Sequence, residues 1–216
     1  MTPRFAIVFF DVDSTLVTIE GIDVLAKGNP EIVRLTEAAM NGEISVDEVY
    51  GKRLAIIQPS REEVDALGRR YVESLVAGAE ETIATLHRAG VSVHLVTAGL
   101  AQAIAPLATH LGIEARRVHA VPVRFAPDGS YRDFERSPLT RSGGKELVVR
   151  DIRARTHGKA AFVGDGVTDL ETKPAVDLFI GFGGVHTRPR VRDNAAVFVQ
   201  DSNLTAVLPH LMSDQP

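Results

Sequence analysis

Cysteine is absent from this chain of 216 residues. That excludes a disulfide framework, a thiolate nucleophile and a zinc site built on cysteine sulfur. Long apolar runs are missing too: none reaches the ~18 residues that a membrane-spanning helix requires. The apolar run near the N-terminus is short and has no small-residue cleavage pattern, so no secretory signal is expected and the cytoplasm is the expected location. Charge of one sign is not in strong excess. A formal net charge of −4 gives no electrostatic case for nucleic acid or an anionic membrane as partner. No internal repeat or low-complexity tract is visible. The seven histidines show no paired helical spacing and read as surface or packing residues. What remains fits a soluble enzyme, expected to act on a small molecule. Its length can bury a large core, as one domain with a small insertion or as two compact domains, in a monomer or a homodimer.

What is present is concentrated at the ends of apolar runs. Phe5-Ala6-Ile7-Val8-Phe9-Phe10 reads as a strand buried on both faces, of the kind found inside a parallel sheet. Asp11-Val12-Asp13-Ser14-Thr15 follows at once. Two crowded carboxylates are costly unless something neutralises them, and a divalent cation with oxygen ligands would do so. Asp11 and Asp13 are two apart, so on an extended strand their side chains share a face. One can attack phosphorus while the other protonates the leaving oxygen.

From Thr18 to Leu75 the pattern is helical. Glu31–Asn41 and Ser45–Ile57 carry apolar residues at helical spacing, and Ser45 with Glu48, and Ser60 with Glu63, have the spacing of capping boxes. Beyond Ala79 helices and strands alternate. Helices are expected at Glu80–Ala89, Leu100–Leu111 and Lys145–Thr156, and strands at Val91–Thr97, Ala160–Gly164, Leu178–Gly181 and Val197–Val199. The fold class implied is α/β: a Rossmann-like three-layer sandwich with a central parallel sheet, a small helical cap and a β-hairpin. In such folds ligands collect at the carboxyl ends of the strands. The hairpin is signalled by Asp128-Gly129 between Val121–Phe125 and Tyr131–Phe134, and reads either as an edge of the sheet or as a flap near the site.

Three further clusters sit beside expected strand ends. Thr97-Ala98-Gly99 offers a hydroxyl and backbone N–H groups just before a helix, an anion site or a simple helix cap. Ser142-Gly143-Gly144-Lys145 puts a lysine at a helix start, where it either pins a phosphate or is solvated. Val163-Gly164-Asp165-Gly166-Val167-Thr168-Asp169 places two more carboxylates on a glycine-bearing turn, to complete a cation shell or to shape the turn. Together these are the parts that metal-assisted phosphoryl transfer requires.

The order of these motifs resembles the haloacid dehalogenase superfamily. Longer stretches are similar to its phosphoserine phosphatase family: Asp11-Val-Asp-Ser-Thr15, Glu20-Gly-Ile-Asp23, Arg53 to Arg61, Ser142-Gly-Gly-Lys145, Gly164 to Glu171 and Phe179 to Gly184. Arg188 to Ala195 looks like that family's final helix. The resemblance implies a core of residues 1–17 and 76–216, with residues 18–75 as a helical cap. It implies an activity: magnesium-dependent hydrolysis of a phosphomonoester through an aspartyl-phosphate. Asp11 would be the nucleophile and Asp13 the general acid and base. Mg²⁺ would be held by Asp11, the backbone carbonyl of Asp13, and Asp165, with Asp169 supporting through water. Thr97, Ala98, Gly99 and Lys145 would bind phosphate.

Substrate choice is expected on the cap. Arg53 would grip a carboxylate and Glu20 an ammonium, with Met40 and Thr168 close to the substrate. Two positions depart from the family pattern. Ala98 stands where glycine is usual, and Asn41 replaces a glycine that often follows the position of Met40. Phosphoserine is the expected substrate. The alternatives are another small phosphorylated amino acid or amino alcohol, or transfer of the phosphoryl group to an alcohol. An oxygen-rich shell suits Mn²⁺ as well as Mg²⁺.

Overall fold

The computed structural model describes residues 2–213, so the first residue and the last three of the expected core lie outside the described residues. The chain begins with β1 (Thr2–Pro3) and β2 (Ile7–Phe10). Four helices follow: α1 (Gly21–Leu25), α2 (Pro30–Met40), α3 (Val46–Ile57) and α4 (Arg61–Glu73). Alternation then sets in with α5 (Ala79–Arg88), β3 (Ser92–Leu100), α6 (Ala101–His110) and β4 (Val118–Val121). A hairpin, β5 (Val123–Phe125) and β6 (Tyr131–Phe134), leads to α7 (Gly144–Arg153), β7 (Ala160–Gly164), α8 (Val167–Leu170) and β8 (Leu178–Phe182). Last come α9 (Pro189–Asn194), β9 (Val197–Val199), α10 (Leu208–Leu211) and β10 (Met212–Ser213), which pairs with β1. The helix read from Arg188 to Ala195 is therefore present as α9, but α10 follows it.

Six strands form one parallel sheet in the order β4-β3-β2-β7-β8-β9. β2 and β7 are buried at every residue, because helices cover both faces. The strand expected from Phe5 begins two residues later, with Ala6 exposed and pairing starting at Ile7. From β2 the chain moves outward one way through β3 and β4, then returns to the other side at β7. That reversal opens a crevice beyond the carboxyl ends of β2, β3 and β7.

The helices α1–α4 leave and rejoin the sheet at one point. Val17 and Leu75 form an antiparallel bridge, flanked by hydrogen bonds from Thr18 N–H to Ser74 O (2.8 Å) and from Val76 N–H to Leu16 O (2.9 Å). Leu35, Ala39 and Val49, with Ile44, make a small apolar cluster of their own. Val46, Tyr50, Leu54, Val64, Leu67 and Tyr71 instead join the main core. Helix α4 begins with the expected capping box, in which Ser60 and Glu63 exchange hydrogen bonds. It crosses α6 at Gly68, where a Cβ would stand 3.0 Å from Pro106 Cγ.

The Ser45–Glu48 capping box does not form. The start of α3 is satisfied by the core instead: Val46 N–H donates to Ser142 Oγ (3.3 Å), and Asp47 accepts from Ser142 N–H (2.8 Å). The run Val121–Phe125 is not one strand. Pro122 has no N–H for a ladder, and it separates β4, in the main sheet, from β5, in the hairpin. β5 and β6 pair only with each other, so the hairpin is not an edge of the main sheet. It leans on the helical insertion. Arg61 N–H donates to Gly129 O (2.8 Å), and the Phe134 ring meets Tyr50 edge-on at 5.1 Å. No hairpin residue lines the cavity described below.

Candidate active site

The floor of the crevice is a set of buried charges supplied by strand ends. Asp11 lies one residue past β2, and its N–H donates to Val163 O (3.0 Å), continuing the pairing with β7. Lys145, in the first turn of α7, is only 5% exposed. Its Nζ lies 2.7 Å from Asp11 Oδ1 and 2.6 Å from Asp169 Oδ1. Burial opposes the lysine charge, but Asp11 and Asp169 outweigh it and the pKa is raised. Asp165 and Asp169 sit on the turn from β7 into α8. The turn is tight enough to need glycine: a Cβ on Gly164 would lie 2.4 Å from Asp169 Cγ. Asp169 Oδ2 accepts from Gly166 N–H (2.9 Å). Asp165 accepts from Arg188 Nε (2.9 Å) and from the Thr15 hydroxyl (3.3 Å).

Asp11, Asp165 and Asp169 each bring an oxygen within 4.8 Å of the others, and all three are buried. Burial raises the pKa of both Asp165 and Asp169, and for Asp169 the negative charge of Asp11 is the next cause. Asp11 Oδ1 is buried without a hydrogen bond despite the nearby ammonium. An all-oxygen donor set with surplus negative charge fits a hard divalent cation.

Asp13 reaches the same cavity from a turn rather than from a strand, since β2 ends at Phe10. Its Oδ1 accepts from Gly21 N–H (2.7 Å) and from the Tyr71 hydroxyl (2.8 Å). Burial first, and the charge of Asp11 second, push its pKa up to about 7. The next residue, Ser14, has a left-handed backbone (φ 53°), unusual outside glycine, and its hydroxyl donates to Glu20 Oε1 (2.6 Å). Burial, Asp13 and Asp165 raise the pKa of Glu20 well above the usual range, against Ser14 and Arg188.

The opposite wall comes from the insertion. Arg53 on α3 is 5% exposed. Its Nη1 donates to Thr36 Oγ1 (3.1 Å), and Thr36 in turn donates to Asp23 (2.8 Å). Arg53 Nε is buried with no partner among the described residues. Met40, Tyr50 and Thr168 complete this side with Ile22 and Leu67. Thr97, Ala98 and Gly99 also line the cavity, but within β3, which runs on to Leu100 with a register shift after Val96. They do not open a helix. Thr97 Oγ1 accepts from Gly99 N–H (2.9 Å), and Ala98 O accepts from the Tyr50 hydroxyl (2.8 Å).

One cavity thus gathers Asp11, Asp13, Glu20, Met40, Arg53, Thr97, Ala98, Gly99, Lys145 and Thr168. Asp165 and Asp169 adjoin it through Asp11 and Lys145. The cavity volume is about 60 Å³, the scale of a small molecule. Sequence reasoning missed Arg188, which is buried and bridges Asp165, Glu20 and Asn41. An arginine just before Pro189 carries no local signal of such a role. It also missed Tyr71, which falls on the apolar spacing of Val64 and Leu67 and so reads as core.

Residues 8–172 match the family described as haloacid dehalogenase-like hydrolase. Phosphoserine phosphatase of Bos taurus is 39% identical over 199 residues, covering 90% of this chain and 88% of that protein. The human phosphoserine phosphatase is 39% identical over the same shares of the two chains. Among solved structures, a phosphoserine phosphohydrolase-like protein from Francisella tularensis superposes with a TM-score of 0.84 at 26% identity, over 96% of this chain and 99% of that one. The agreement spans the sheet and the helices above it alike, and on it the chain belongs to the haloacid dehalogenase-like hydrolases, in the phosphoserine phosphatase family.

Proposed function

We propose that the protein is a cytoplasmic, magnesium-dependent phosphoserine phosphatase, converting O-phospho-L-serine and water to L-serine and phosphate in serine biosynthesis. The observation that carries the substrate is Arg53. A buried guanidinium with an unpartnered Nε faces the cavity that Glu20 and Asp11 also line. Leaving that N–H unpaired is costly, and a ligand carboxylate would satisfy it. Glu20 answers the ammonium of the same zwitterion, and Met40 and Thr168 shape the space between.

In the reaction, an Asp11 carboxylate oxygen attacks phosphorus. The bond from phosphorus to the serine oxygen breaks as Asp13 gives that oxygen its proton. Asp13, now a carboxylate, takes a proton from water, which attacks the aspartyl-phosphate and frees phosphate and Asp11. A pKa near 7 lets Asp13 serve in both steps. Lys145, with the hydroxyl of Thr97 and the backbone at Ala98 and Gly99, holds the phosphoryl oxygens. Asp11, Asp165 and the carbonyl of Asp13 would hold Mg²⁺, with Asp169 supporting through water. A bound cation would draw charge from the phosphoryl oxygens. Residues 18–75 act as a lid on a core of residues 1–17 and 76–216, excluding water during the first step.

Phosphate release with Mg²⁺ from L-phosphoserine, phosphothreonine, phosphoethanolamine and p-nitrophenyl phosphate tests this reading. Phosphoserine is expected to be preferred. Asp11→Asn should lower turnover by about a thousandfold or more. Arg53→Ala should cost roughly ten- to a hundredfold in kcat/KM for phosphoserine and little for phosphoethanolamine, which has no carboxylate. Equal loss on both substrates would remove Arg53 from the specificity argument. Phosphate esters of an added alcohol, formed from phosphoserine in place of free phosphate, would point to transfer instead.

A further inference from the structure

Tyr71 is a polar side chain of the cavity that the reaction above leaves without a task. It lies on α4, inside the insertion, and is 1% exposed. A buried phenol needs a partner, and its hydroxyl donates to Asp13 Oδ1 at 2.8 Å. Gly21 N–H donates to the same oxygen at 2.7 Å. A carboxyl oxygen has two lone pairs, so these two donors fill Oδ1. The proton that Asp13 transfers then belongs on Oδ2.

A second observation, at Gly21, points the same way. A Cβ there would stand 1.9 Å from the Tyr71 hydroxyl oxygen and 3.3 Å from Asp13 Oδ1. The absence of a side chain at residue 21 is what lets the phenol reach the carboxyl.

We propose that Tyr71 is a positioning residue that fixes the rotation of the Asp13 carboxyl, and so selects the oxygen that carries the proton to the leaving group. Because Tyr71 belongs to the insertion, Asp13 is fully aligned only when α4 is seated on the core. Acid assistance is thereby tied to the position of the helices that cover the cavity. The inference rests on the proposed function and deepens it.

The test compares leaving groups. Serine leaves as an alkoxide and needs a proton, whereas acetyl phosphate releases a carboxylate that needs none. The readout is kcat/KM, which reports the steps through departure of the leaving group. In Tyr71→Phe, kcat/KM for phosphoserine should fall roughly ten- to a hundredfold, part of the 10²–10⁴ that general acids supply, carried by kcat with KM little changed. The value for acetyl phosphate should stay within about twofold, since no proton is delivered in that step. Gly21→Ala, whose Cβ would stand 1.9 Å from the phenol oxygen and 2.8 Å from the ring carbon that bears it, displaces the phenol from Asp13 and should give the same selective loss. Equal losses on both substrates, a change in KM alone, or no loss on phosphoserine in an active enzyme would overturn the role of Tyr71 only. A wild-type protein inactive on every phosphomonoester would overturn the proposed function and this inference with it.

Discussion

The two walls of the cavity are built on different principles. The wall from the sheet is a closed set of charges. Lys145 lies between Asp11 and Asp169, Arg188 is bonded to Asp165, and all are buried within a few residues of a strand end or helix start. The wall from the insertion is mostly apolar, with Tyr50, Met40 and Leu54 around one cation, Arg53, whose Nε is unpartnered. The first wall satisfies most of its charges internally. The second keeps a donor for a ligand. In this contrast, one wall is held by ion pairs between its own residues, and the other presents an unpartnered donor to the cavity.

The largest test of that contrast is Lys145→Ala. Removing one partner of a buried ion cluster leaves Asp11 and Asp169 uncompensated, and should cost about 3–5 kcal/mol of stability. Urea unfolding of the metal-free protein measures it. A loss below about 1 kcal/mol, the range of an exposed pair, would mean that the sheet wall does not hold its charges together in this way.

A smaller effect is expected where the walls touch. Tyr50 on α3 donates to Ala98 O in the sheet wall, one of several hydrogen bonds across the seam. Tyr50→Phe removes it while keeping the ring against Phe134. A neutral hydrogen bond is worth about 1 kcal/mol, so KM for phosphoserine should rise about fivefold with kcat held. A fall in kcat at constant KM would show that the seam bond serves the chemistry rather than the fit.

A separate effect belongs away from the cavity and serves as a control. His94 on β3 lies 3.2 Å from His119 on β4, ring stacked on ring. Burial, then the neighbouring His119, Arg117 and Arg116, lowers the His94 pKa from 6.5 to about 4. Between those values the unfolded chain binds a proton that the folded chain does not. Stability from this group is therefore present above pH 6.5 and is lost as pH falls toward 4. Melting wild type and His94→Gln at pH 7.5 and 5 separates this slope from that of the carboxyls. The same slope in both proteins would assign the acid sensitivity elsewhere.

The sheet wall was legible in the sequence because its residues adjoin buried strands. Asp11 follows the Phe5–Phe10 run, and Asp165 follows Ala160–Gly164. A strand end is visible in one dimension, and so is what stands next to it. The insertion wall was legible only through family resemblance. Arg53 is one charged residue among several on a helix, and nothing local distinguishes it from Lys52, which is exposed. Tyr71 and Arg188 escaped because their roles depend on partners 58 and 23 residues away. Local turn chemistry erred in a similar way. Ser45 has the right spacing for a capping box, but the competing donor and acceptor belong to Ser142, across the seam. At Pro122 the apolar pattern runs on, while the missing N–H divides it between two sheets.

The Val17–Leu75 bridge has a consequence for engineering and descent. Exit and return lie one strand spacing apart, so the segment between them is a loop closed at its base. Its length adds little to the entropy of closure, which grows only with the logarithm of loop size. A change of length between those two residues leaves the paths of β2 and α5 as they are, but Val46, Tyr50, Leu54, Val64, Leu67 and Tyr71 of the present segment also fill the main core. Any exchange at this socket therefore has to bring with it the apolar residues by which α3 and α4 seat on the core.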